Sequence, residues 1–105
     1  MDYNNLFKDL NTFTFKHDMT RGKKIWISIF KNFTDDEDTT KCINGFIELN
    51  VIDNTGKVNF INYRNPKDNF IEVSKEIENN LIKYSRDYAD KNGYTDKVLN
   101  RYKGK

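Results

Sequence analysis

One cysteine, one histidine, one proline and five isolated glycines are all that this 105-residue chain has of the residue types on which sharp chemistry most often rests. A lone thiol, Cys42, closes no intrachain disulfide, and one Cys with one His builds no zinc centre at ordinary ligand spacing. The glycines (Gly22, Gly45, Gly56, Gly93 and Gly104) never cluster, so there is no glycine-rich loop to cradle a phosphate. No stretch approaches the roughly 18 apolar residues of a membrane span. The first ten residues carry acids and amides where a secretory signal needs a positive start and an apolar run. These absences predict a cytoplasmic protein without metal, cofactor or membrane partner.

Excess charge is missing too. Eighteen Lys and Arg stand against 16 Asp and Glu, for a net +2, so any attraction to nucleic acid has to come from local clustering. What is abundant is ring: eight Phe, six Tyr and one Trp. Each buries on the order of 150 to 250 Å², enough to supply a core in a chain with a single alanine, and aromatics are depleted in chains that stay disordered. At this length one core and one domain are expected over residues 1–105. The over-use of Lys, Asn, Ile, Tyr and Phe follows AT-rich codons and points to a low-GC bacterium, its plasmid or its phage.

Periodicity gives the order of elements. Leu6, Phe7 and Leu10 predict a short amphipathic N-terminal helix, with Asp2 or Asn4 as its cap. Residues 12–17 alternate Thr and Phe and read as a strand that sends Phe13 and Phe15 to the core. Thr20, Arg21 and Gly22 form a turn. Residues 24–33 are the strongest strand, with Ile25, Ile27 and Ile29 on one face and Trp26 and Phe30 on the other. A solvated acidic loop follows at 34–40. Residues 41–53 place Ile43, Ile47, Leu49 and Val51 opposite Phe46 and Ile52, with a bulge marked by Gly45. Residues 53–56 read as a hairpin turn, and 57–63 set Val58 and Phe60 against Ile61 and Tyr63. Pro66 breaks the sheet.

Val73, Ile77, Leu81, Tyr84 and Tyr88 then mark one long helix, capped by Ser74 and stopped at Asn92 and Gly93, and Thr95 caps a last short basic helix. The reading is an α+β domain: a short N-terminal helix, an antiparallel sheet of three to four strands, a long C-terminal helix and a short basic terminal one.

Catalysis finds little purchase. His17 has no second His and no Ser or Cys tied to it by a motif, and Cys42 reads as a small core residue. The chain reads as non-enzymatic. The better clue is basic charge beside rings. Arg21, Lys23 and Lys24 lead directly into Trp26 and Phe30, and the following hairpin ends at Tyr63, Arg64 and Lys67. Single-strand binders combine a cationic track with rings on which bases stack. Lys97 and Arg101 in the tail add further phosphate contacts whose strength would fall with salt.

Two other readings of the same residues stand beside that one. Trp26, Phe46, Ile52 and Tyr63 lie under a helix as core, or they form a protein interface together with Phe30 and the acidic run Asp35, Asp36, Glu37 and Asp38. In the second case the chain is a small phage- or plasmid-encoded inhibitor of a host protein such as a defence nuclease, steered by its opposite charge clusters.

The segment from Cys42 to Ile61, containing Val51-Ile52-Asp53, Asn54 and Gly56, resembles the central hairpin of the stage V sporulation protein G family. The helix from Ser74 extends that likeness over residues 42–88. The resemblance implies a small four-stranded sheet with a helix, self-association as a homodimer, and binding of DNA or RNA. The family's basic step after the second strand falls nearest Arg64 and Lys67, within Asn62-Tyr63-Arg64-Asn65-Pro66 in this chain.

Overall fold

Ile25, Ile27 and Ile29 are at most 1% exposed, and the three side chains define the side of the sheet on which everything else is built. The computed structural model describes residues 3–34, 38, 40–64 and 68–103, with the side chains of residues 3, 4, 63, 64, 68–70 and 103 outside that description. Strands β1 (Thr14–Arg21), β2 (Lys24–Thr34), β3 (Thr40–Asn50), β4 (Thr55–Arg64) and β5 (Asp68–Phe70) form one antiparallel sheet in the order β1-β2-β3-β4-β5. Helices α1 (Lys75–Lys91) and α2 (Tyr94–Lys103) close the chain. The α+β reading holds, with β5 as a short fifth strand beyond the predicted three to four. Among the described residues no helix is long and apolar enough to cross a membrane.

Both helices pack on the isoleucine side. Ile43, Ile47, Leu49 and Ile61 complete that buried sheet face, and Leu81 and Ala89 of α1 and Val98 of α2 join the same cluster. Gly45 and Gly56 belong to this face because of space. A Cβ on Gly45 would lie 2.8 Å from Ile29 Cγ1, and one on Gly56 would lie 2.6 Å from Ile82 Cγ2. Gly45 is therefore a close-approach position and not a bulge. The bulges fall elsewhere: the β1–β2 register shifts between His17 and Met19, and the β3–β4 register shifts between Phe46 and Ile47, leaving Asn59 as the extra residue of β4.

Three local expectations are corrected. The N-terminal segment forms 3-10 turns, Tyr3–Phe7 and Leu10–Thr12, in place of an α-helix. Its buried residues Phe7, Leu10 and Phe13 recur every third position, which is the repeat of a 3-10 helix. The β3–β4 turn is residues 51–54, not 53–56. The Asn50 Oδ1 accepts from the backbone N–H of Asp53 at 2.9 Å, and Asn54 takes φ 57°. Val51 and Ile52 thus leave the strand and pack against the core cluster. Lastly, β1 runs on through Met19 and Thr20, so the turn narrows to Gly22 and Lys23, with Gly22 at φ 60°.

The helix ends follow the sequence closely. Ser74 Oγ accepts from the Ile77 N–H at 3.2 Å as N-cap, and Gly93 at φ 81° ends α1 after the Asn92 cap. The last helix starts at Tyr94 rather than behind a Thr95 cap, and the Thr95 hydroxyl turns back to donate to Asp90 Oδ1.

Candidate nucleic-acid interface

With both helices on one side, the other face of the sheet carries no helix among the described residues, and it is open from β1 to β3 but buried at Asn62 of β4, which is 8% exposed. Pairing fixes its rows. Met19, Trp26, Glu48 and Lys57 stand abreast across β1 to β4; the next row holds Lys16, Ser28, Phe46 and Phe60; the third holds Thr14, Phe30, Asn44 and Asn62. Rows lie two residues apart, about 7 Å at the usual rise per residue of a strand. Each row therefore carries at least one aromatic side chain: Trp26, then the Phe46 and Phe60 pair with centroids 5.9 Å apart, then Phe30. Phe30 and Phe60 are 37% and 39% exposed and Met19 44%, while Trp26 and Phe46 are half-buried. An uncovered apolar patch rimmed by polar groups is the usual mark of a binding surface.

Charge gathers at the Trp26 end. Arg21 pairs with Lys24 one row beyond Trp26 and Met19, and Lys57 sits opposite Glu48. The Trp26 indole N–H donates to Glu48 Oε1 at 3.1 Å, while Glu48 Oε2 lies 3.3 Å from Lys24 Nζ and 3.8 Å from Lys57 Nζ. Burial pushes the Glu48 carboxyl up. The hydrogen bond and charge of Lys24, the charge of Lys57 and the indole N–H outweigh that push and hold its pKa below the ordinary carboxylate value. The face thus presents Lys16, Arg21, Lys24 and Lys57 around Glu48, and the exposed Asp18 lies in the β1 bulge beside Met19.

The residues singled out from sequence divide. Arg21, Lys24, Trp26 and Phe30 meet on the open face. Lys23 turns away, its Nζ 5.8 Å from the centre of the Tyr102 ring. Lys97 and Arg101 are exposed on α2, which lies behind the sheet with Val98 in the core and Tyr94 stacked on His17 at 4.0 Å. They do not join Trp26. Tyr63 and Arg64 pair with Ile43 and Cys42, whereas Trp26 pairs with Glu48. The Tyr63 backbone is thus five positions along β3 from Trp26, roughly 16 Å at the rise of a strand, so Tyr63 and Trp26 do not form one stacking pair.

Asp35, Asp36, Glu37 and Lys67 lie outside the described residues. Asp38 is exposed with φ 57°, a conformation that Asp tolerates. Cys42 is half-buried opposite Asn32 and Arg64, away from the core cluster. His17 is held between the Tyr94 ring and Thr20 Oγ1, 2.7 Å from its Nε2.

Phe60, Lys57, Lys16 and Glu48 escaped the sequence reading as site residues, and Phe46 entered it only as core or protein interface. Strict alternation put Phe60 on the side of Val58, because nothing in the sequence marks Asn59 as the bulge that reverses the faces. The signal that could have found them is the pairing itself: once the isoleucine face is the inner one, the partners of Ser28 and Trp26 face outward.

No family model matches the chain, and no curated protein or solved structure matches it. Nothing in these comparisons bears on the resemblance of residues 42–88 to the sporulation-protein family. What fold and face define together is an antiparallel sheet backed by two helices on one side and carrying rings and cations on the other.

Proposed function

We propose that the chain is a non-enzymatic module that binds single-stranded nucleic acid on the open sheet face. The observation that carries this reading is the run of three adjacent rows, each with a ring, ending in the cations Lys24, Lys57 and Arg21. Bases stack on Trp26, Phe46 with Phe60, and Phe30, which matches a stretch of about three to four nucleotides. Stacking on a ring is worth about 1 to 3 kcal/mol per base and tolerates any sequence. The phosphates are met by Arg21 and Lys16, while Lys24 and Lys57 are held by Glu48. Ser28 and Asn44, between the rings, offer donors and acceptors to base edges.

The rival reading, a small phage- or plasmid-encoded inhibitor that docks a host protein through Trp26 and Phe30, uses the same face. The cations around the rings favour a polyanion. The test is fluorescence anisotropy of end-labelled eight-nucleotide single strands of DNA and of RNA. The reading expects saturable binding that weakens with salt, and a loss of about tenfold or more in Phe46→Ala/Phe60→Ala with the fold retained by circular dichroism. No binding of either strand by the folded wild type would defeat the reading and turn attention to a protein partner.

A further inference from the structure

Glu48 is the carboxylate that pairs across the open face with Trp26 and Lys57, and it is already occupied. Its Oε1 accepts from the Trp26 indole, and its Oε2 lies between Lys24 Nζ and Lys57 Nζ at 3.3 and 3.8 Å. The Glu48 side chain is 17% exposed, whereas those of Lys24 and Lys57 are 44% and 62% exposed. The lysines reach into solvent from a carboxylate that stays near the sheet. An anionic oxygen held by two ammonium groups is the arrangement a nucleic-acid phosphate would adopt there.

We infer that Glu48 is the specificity-determining residue of this face, an intramolecular competitor that occupies Lys24 and Lys57 in place of a phosphate. The inference rests on the single-strand reading above and deepens it. A strand that binds must take the two lysines from Glu48, so phosphate contact alone gains little, and affinity has to come from bases stacked on Trp26, Phe46 and Phe60. The preferred ligand is therefore a strand with accessible bases. A polyanion that offers charge without bases, or a duplex whose bases are already stacked, is selected against. Pre-paired lysines release few counter-ions when phosphate arrives, so the salt dependence of binding is shallow for a face with this many cations.

The experiment compares wild type, Glu48→Gln, Lys57→Gln and the double variant, each titrated with an eight-nucleotide oligothymidylate and with an abasic strand of equal length, at low and moderate salt. The amide introduced by Glu48→Gln keeps an acceptor for the indole and removes the charge. The expected results are at least tenfold weaker binding of the abasic strand by wild type, and about three- to tenfold tighter binding of both strands by Glu48→Gln with a steeper salt dependence. Lys57→Gln should cost less than twofold in the wild-type background and erase most of the gain in the Glu48→Gln background. Equal or weaker binding by Glu48→Gln, with unchanged salt dependence, overturns the inference while the single-strand reading stands. Failure of every form to bind either strand overturns both. Should Glu48→Gln not fold, Lys57→Gln alone decides: a loss above tenfold shows that Lys57 was available to phosphate all along.

Discussion

Trp26 and Glu48 face each other across the β2–β3 pair, the indole N–H donating to Oε1 at 3.1 Å. That contact ties the single tryptophan to the carboxylate of the open face and leaves the indole half-buried, neither core nor free ring.

The Glu48 carboxyl has its pKa lowered on folding. A group depressed in the folded state stabilises it fully above its unfolded pKa, and that contribution is lost as pH falls through the folded value. Denaturant midpoints should therefore fall below about pH 4.5 more steeply in wild type than in Glu48→Gln. Parallel curves from neutral pH down through the acid range would contradict the assignment.

Binding and stability should separate on the two faces. Phe60→Ala removes an exposed ring and should shift the unfolding free energy by less than about 1 kcal/mol while weakening single-strand binding at least fivefold. Ile27→Ala, at a position with no exposed surface, should cost about 2 to 5 kcal/mol. Urea unfolding beside anisotropy separates the two, and a Phe60→Ala variant as unstable as Ile27→Ala would mean that the open face is covered in solution.

Gly45→Ala should destabilise by about 1 to 3 kcal/mol, because the added methyl meets Ile29 Cγ1 and Cδ1 at 2.8 and 2.9 Å inside a packed face. Adding Ile29→Val, which trims Ile29, should recover part of that loss. Additive losses in the double variant would show that the clash is not the cause.

Arg86 reaches from α1 to the β3–β4 turn, with Nη1 donating to Asn54 Oδ1 at 2.7 Å and Nη2 to the Thr55 carbonyl at 2.8 Å. Its removal leaves the turn without its tie to the helix. Arg86→Ala should cost about 1 to 2 kcal/mol and increase amide exchange at residues 53–55. Unchanged exchange there would mean that the turn holds itself through Asn50.

Much of the fold was legible because its signals are local. Ser74, Gly93 and the spacing from Ile77 to Leu81 specify α1 within their own turn of chain, and Ile25, Ile27 and Ile29 specify a strand face by alternation alone. The site was legible only in part. Trp26, Phe30 and Lys24 sit on one strand, so alternation placed them correctly, whereas Arg21 was read as turn and lies on β1 beyond the bulge at Asp18. Phe60 and Lys57 lie beyond a turn set by the Asn50 side chain and on either side of the Asn59 bulge, two features fixed by tertiary contacts. Lys97, Arg101 and Lys23 were misplaced because charge in sequence does not say on which side of the sheet α2 docks. The burial of Val98 settles that, and it depends on the whole core.

The most direct test of the open face is the emission of Trp26 itself, titrated with unlabelled single-stranded DNA and RNA and with duplex DNA at two salt concentrations. One tryptophan reports one place. The account predicts saturable quenching by the single strands, weaker at the higher salt and small with duplex. Emission unchanged by any nucleic acid, from a protein shown to be folded, would contradict the claim that bases stack on this face.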